Sequence, residues 1–91
     1  KAGDVYLITN PAWPEWVKVG KAIDASDRCN NYQTGSPLRD FEVIGYIHVD
    51  DRHTKEIEMH KLFEKHAKER KSEWFKIPKD KAKELLDGHS S

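Results

Sequence analysis

Val5-Tyr6-Leu7-Ile8-Thr9 and Trp16-Val17-Lys18-Val19-Gly20 are the two stretches that decide the fold. Both are rich in β-branched and aromatic residues, which suit a pleated, half-buried surface. Asn10-Pro11 and Pro14 interrupt the run between them and mark a loop. So short a connection joins antiparallel neighbours, because parallel strands need a long crossover. Outward from this hairpin, Asp24 or Ser26 caps a short helix that Gly35 stops, with Pro37 just beyond. Phe41 to Val49 forms the third and strongest strand. Asp50-Asp51 opens a long charged helix running to about Arg70, and Trp74-Phe75-Lys76-Ile77 is a short extended piece. Pro78 suits the first turn of a last helix that runs to about Asp87 and fades into a flexible tail at 88–91. Consecutive antiparallel strands with helices set apart imply an α+β domain: a small three-stranded antiparallel sheet flanked by helices.

Bulk composition narrows the class. The 91 residues make one domain, and the opening on Lys1 reads as a piece excised from a longer protein. Hydrophobic residues are 36% and charged residues 35%, enough for one modest core. Lys plus Arg is 16 and Asp plus Glu is 16, so no general electrostatic attraction would hold DNA tightly. A DNA-acting domain with this balance calls for a targeting domain or partner protein. Cys29 is the sole cysteine, which excludes an internal disulfide and a cysteine-rich zinc site. No apolar run reaches membrane-span length and no signal-peptide pattern opens the chain, so the expectation is an intracellular domain, cytoplasmic or at the nucleoid or nucleus.

Several residues point to chemistry. Alternation puts Tyr6 on the face of Ile8, and Lys18 on the face opposite Val17 and Val19, so adjacent strands can aim both at one spot. A phenol beside an ammonium ionises more readily, as a general base requires; a rim tyrosine with a solvated lysine is the plain alternative. Arg28 shares a helical stripe with Tyr32 and could clamp a phosphate through two parallel hydrogen bonds, or simply pack its stem on the surface. At about 100° per residue, Met59, Phe63 and Ala67 define the buried arc of the long helix, and Glu56 falls inside it. A carboxylate there needs a partner, a proton or a metal ion, unless it reaches water from the first turn. His60, four residues on, could ligate the same metal or orient Glu56 by hydrogen bonding. Trp13 and Trp16 could stack on bases, although packing explains them equally. Trp13, Lys21 and Arg39 are the candidate nucleic-acid contacts. Glu73-Trp74-Phe75 reads as core closure.

Together these pieces resemble the GIY-YIG nuclease superfamily, and in particular a phage-type branch of it. Gly3-Asp4-Val5-Tyr6 is similar to the first motif and Lys18-Val19-Gly20 to the second, with Lys18 where many members carry tyrosine. Arg28 follows within Ala25-Ser26-Asp27-Arg28. Asn31-Tyr32-Gln33-Thr34-Gly35-Ser36-Pro37, Glu56-Ile57-Glu58-Met59-His60, Phe63 and Glu73-Trp74-Phe75 are similar to the later signature of that branch. The resemblance implies a metal-dependent DNA endonuclease using one Mg²⁺ or Mn²⁺ ion. In it Tyr6, helped by Lys18, activates the attacking water, Arg28 stabilises charge on the phosphate, and Glu56 holds the metal. Tyr32 stands where some members have histidine and joins the candidate catalytic set. A non-catalytic nucleic-acid-binding or interaction module on the same fold is the competing expectation.

Overall fold

The computed structural model describes residues 1–23 and 41–89. In chain order these form β1 (Gly3–Thr9), β2 (Trp16–Ala22), β3 (Glu42–Val49), α1 (Arg52–His66), β4 (Arg70–Lys71), β5 (Trp74–Lys76) and α2 (Lys79–Asp87). The short helix expected between Asp24 and Gly35 lies outside the described residues, as do Arg28, Tyr32 and Arg39. The class is α+β, as the hairpin pattern implied. The sheet has five antiparallel strands in the order β3-β1-β2-β5-β4 where three were expected. The two additions come from the chain after α1. That helix stops at His66, short of Arg70, because Lys68 N–H donates to Lys76 O and Lys76 N–H to Glu69 O. Sheet bonds there replace further helical ones. Ser72, at φ 56°, makes the two-residue turn that closes β4 on β5.

Every residue of the interior strand β1 is buried, so both of its faces are covered. Val5 and Leu7 look to the helices, joining Val17, Val19, Ile47, Met59, Phe63, Phe75, Ala82 and Leu86 in the main core. Burial of a side chain such as Met59 or Phe63 stabilises the fold by roughly 1.5–3 kcal/mol. Tyr6 and Ile8 look the other way and pack with Ala22, Phe41, Val43 and Trp74. The register sets Tyr6 opposite Gly20 and Ile8 opposite Lys18, so Tyr6 and Lys18 share this outer face. Val5 opposite Lys21 turns Lys21 to the helix side.

Asp51 caps α1. Its carboxylate accepts the Thr54 N–H at 3.2 Å and the Thr54 hydroxyl at 2.9 Å. These bonds, the backbone one foremost, hold the Asp51 carboxyl below its usual range. Lys65 and His66 in the last turn complement the helix dipole. Gly88 and His89 fold back by hydrogen bonds to Glu84 O and Leu86 O. Among the described residues no helix is long and apolar enough to cross a membrane.

Candidate functional site at the edge of the second strand

β5 pairs with β2 only over Trp16, Val17 and Lys18. Beyond Lys18, Val19 takes both of its edge bonds from elsewhere. Its N–H donates to the backbone oxygen of Glu73 at 3.1 Å, and its carbonyl lies 3.0 Å from His60 Nε2. A carbonyl can only accept, so Nε2 carries a proton, and in the neutral ring Nδ1 is then the nitrogen with a lone pair. One β2 residue thus fixes two chemical groups, the Glu73 turn and the His60 ring. The His60 ring also packs on Phe75, with centroids 5.6 Å apart.

Glu56 completes the cluster from the same helix. It is 7% exposed, in line with Met59 and Phe63 as helical arithmetic requires, while Glu58, Lys61 and Lys65 are exposed on the far side. One donor atom from each of Glu56, His60 and Glu73 lies within 4.8 Å of the others. Two carboxylate oxygens and an imidazole nitrogen at that spacing are a fitting donor set for a divalent ion with a preference for oxygen. The His60 N–H bonded to a backbone carbonyl is the usual arrangement behind a metal-ligating histidine.

Two lysines serve the cluster from opposite sheet faces. Lys21 Nζ lies 2.8 Å from Glu56 Oε1 on the helix side. Lys18 Nζ lies 4.0 Å from Glu73 Oε2, coming from the outer face. The absence of a paired β5 residue beyond Lys18 is what lets groups from the two faces approach around one edge. Tyr6 lies on the outer face of the sheet, away from Glu56 and His60. Its ring crosses β2 at Gly20, where an added Cβ would sit 2.5 Å from the phenol oxygen. Among the described residues no buried side-chain nitrogen or oxygen lacks a partner.

The sequence-derived candidates therefore divide. Glu56, His60 and Lys21 gather on the helix side of β2, with Lys21 engaged by Glu56, whereas Tyr6 and Lys18 lie on the opposite, outer face of the sheet, where Lys18 reaches the cluster only through Glu73. Trp13 lies apart in the β1–β2 loop, 47% exposed, edge-on to Trp74 with centroids 5.5 Å apart. Arg28, Tyr32 and Arg39 are outside the described residues. Glu73 is the group that sequence reasoning took for core closure and that the structure brings to the site. Its sequence signal was its place in the Glu73-Trp74-Phe75 motif; its position beside Glu56 and His60 depends on a long-range backbone bond to Val19.

The family model of the T5orf172 domain matches residues 3–89. The chain belongs to that family, which comprises phage-type, nuclease-like domains. No curated protein and no solved structure matches the chain.

Proposed function

We propose that this chain is a metal-dependent DNA endonuclease domain of the GIY-YIG type that hydrolyses a phosphodiester bond. The observation that carries the proposal is the meeting of Glu56, His60 and Glu73 within 4.8 Å at the β5-side edge of β2, with Lys18 of that strand 4.0 Å from Glu73. Glu56 and Glu73 would hold one Mg²⁺ or Mn²⁺ ion through oxygen, with His60 supplying its remaining nitrogen or orienting the carboxylates. When bound, the ion supplies electrostatic stabilisation to the phosphate and to the leaving oxygen.

The chain's own groups do the rest. Tyr6 would accept a proton from the attacking water, assisted by Lys18 on the same outer face. At 1% exposure Tyr6 meets little bulk water. Arg28 supplies a planar fork for the phosphate, and Tyr32 is a second candidate on the proton route. With equal numbers of acidic and basic residues, a targeting domain or partner protein would bring this domain to its DNA. A DNA substrate implies action inside the cell, in the cytoplasm or at the nucleoid or nucleus.

A second reading, a non-catalytic nucleic-acid-binding module, is favoured by one observation: Lys21 already neutralises Glu56 at 2.8 Å. Nicking of supercoiled plasmid separates the two. Cleavage that needs Mg²⁺ or Mn²⁺, stops with a chelator and falls by about 10²-fold or more in Glu56→Gln and Arg28→Ala supports the endonuclease. Equal cleavage by both variants and the parent, or none by the parent, contradicts it.

A further inference from the structure

All three tryptophans of the chain line one hollow. Trp13 comes from the β1–β2 loop, Trp16 from the start of β2 and Trp74 from the start of β5, with Lys71 of β4 on the remaining wall. The hollow encloses about 210 Å³. That is below the 300–1,000 Å³ typical of drug-sized sites, and suits a single planar ring. Tryptophans that only close a core would be buried, yet Trp13 is 47% exposed. Lys71 Nζ stands 5.7 Å above the Trp16 ring centroid.

Position gives the hollow its meaning. Trp74 is the cross-strand partner of both Lys18 and Lys71, so its ring shares the outer sheet face with Lys18 and Tyr6. An aromatic recess therefore adjoins the edge where the phosphate chemistry is proposed. An aromatic cage for a quaternary ammonium is disfavoured, because the Lys71 ammonium already occupies a wall and repels a second cation. A flat ring joined to an anion matches both features, with the ring on tryptophan and the anion on lysine.

We propose that this hollow holds one unpaired nucleobase of the DNA substrate, stacked on tryptophan with a flanking phosphate on Lys71. The proposal rests on the nucleic-acid reading above and adds that the substrate has an unstacked base beside the scissile bond. Stacking is indifferent to which base it meets, so the site selects DNA structure, not sequence.

The test reads binding alone, in the presence of a chelator, so that cleavage does not enter. Tryptophan fluorescence of the chain is titrated with a duplex carrying one unpaired thymidine, the same duplex with an abasic site there, and the fully paired duplex. The expected result is saturable quenching by the first, with roughly ten-fold weaker binding of the other two. Trp13→Ala, an exposed position that leaves the fold intact by circular dichroism, should erase that preference, and Lys71→Ala should reduce the salt dependence of binding. Glu56→Gln should retain the preference. Equal binding of all three duplexes by a folded parent overturns the proposal and leaves the endonuclease reading standing. Binding of no DNA overturns the proposal and leaves the endonuclease reading to the nicking assay. Saturable quenching by a proline-rich peptide alone overturns it in favour of a peptide groove.

Discussion

The ring of Tyr6 lies across Gly20: a Cβ there would stand 2.5 Å from the phenol oxygen and 2.6 Å from the carbon that bears it. The first and second sequence motifs are thus halves of one contact. Since Tyr6 is 1% exposed and packed with Ile8, its ring has little room to give. Gly20→Ala should push the phenol away from the β2 edge. Cleavage should drop by about 10²-fold, as a displacement of roughly 1 Å can cause, while circular dichroism stays that of the parent. Full activity in a folded Gly20→Ala protein would show that the phenol's position is immaterial.

Lys21 is the group that Glu56 would exchange for a metal ion. Glu56 is buried and Lys21 about one-third exposed, so their bond is partly screened. Lys21→Ala should destabilise the metal-free protein by about 1–2 kcal/mol, because it strands a buried carboxylate. Millimolar Mn²⁺ should restore the lost stability, and should bind this variant more tightly than the parent. Thermal melts with and without Mn²⁺ check both points. A variant as stable as the parent, and indifferent to Mn²⁺, would contradict the exchange.

Ser72 holds a left-handed backbone, φ 56°, in the turn between β4 and β5. L side chains resist that conformation and glycine does not. Ser72→Gly should stabilise the domain by roughly 0.5–1 kcal/mol in urea titrations. The same variant should keep the Glu73 carboxylate in place, with no loss of cleavage. A destabilised variant would mean that the serine makes a contact the turn needs.

Asp51 carries the one pH prediction. Its carboxyl is lowered by the Thr54 N–H and hydroxyl. A carboxyl depressed by folding contributes stability above its unfolded value, here 3.8, and that contribution is lost as pH falls through the folded value. The melting temperature of Asp51→Ala should therefore lie below that of the parent at neutral pH, and the gap should close as the pH falls through the carboxyl's lowered value. Asp51→Ser, which still caps, should recover most of the difference. A gap that persists unchanged in acid would assign the effect to something other than the carboxylate.

Local pattern carried much of this structure. Alternation in Val5–Thr9 and Trp16–Gly20 specified the hairpin and the shared face of Tyr6 and Lys18, because a one-residue slip would invert every side chain. Helical spacing from Met59 and Phe63 exposed Glu56, a charge where apolar residues belong. What stayed hidden was non-local or lacked punctuation. Arg70-Lys71 is too short and too charged to signal a strand, and Ser72-Glu73 is not a hairpin dipeptide of the usual kind. No Gly or Pro directly follows His66 to signal a stop; the helix ends through sheet bonds instead, Lys68 N–H to Lys76 O and Lys76 N–H to Glu69 O. Glu73 reaches the site only because Val19 binds its backbone, a relation 54 residues apart that no window of sequence contains. The three tryptophans were separately visible, but their common hollow depends on β5 pairing with β2.

The account rests on the β2 edge holding one divalent ion. Crystals of the chain soaked in Mn²⁺ and measured at the manganese absorption edge test this most directly. The account predicts one anomalous peak at roughly 2.0–2.3 Å from oxygens of Glu56 and Glu73, with Lys21 drawn off Oε1. An intact Lys21–Glu56 pair with no peak at that edge, at Mn²⁺ concentrations that support cleavage, would contradict it.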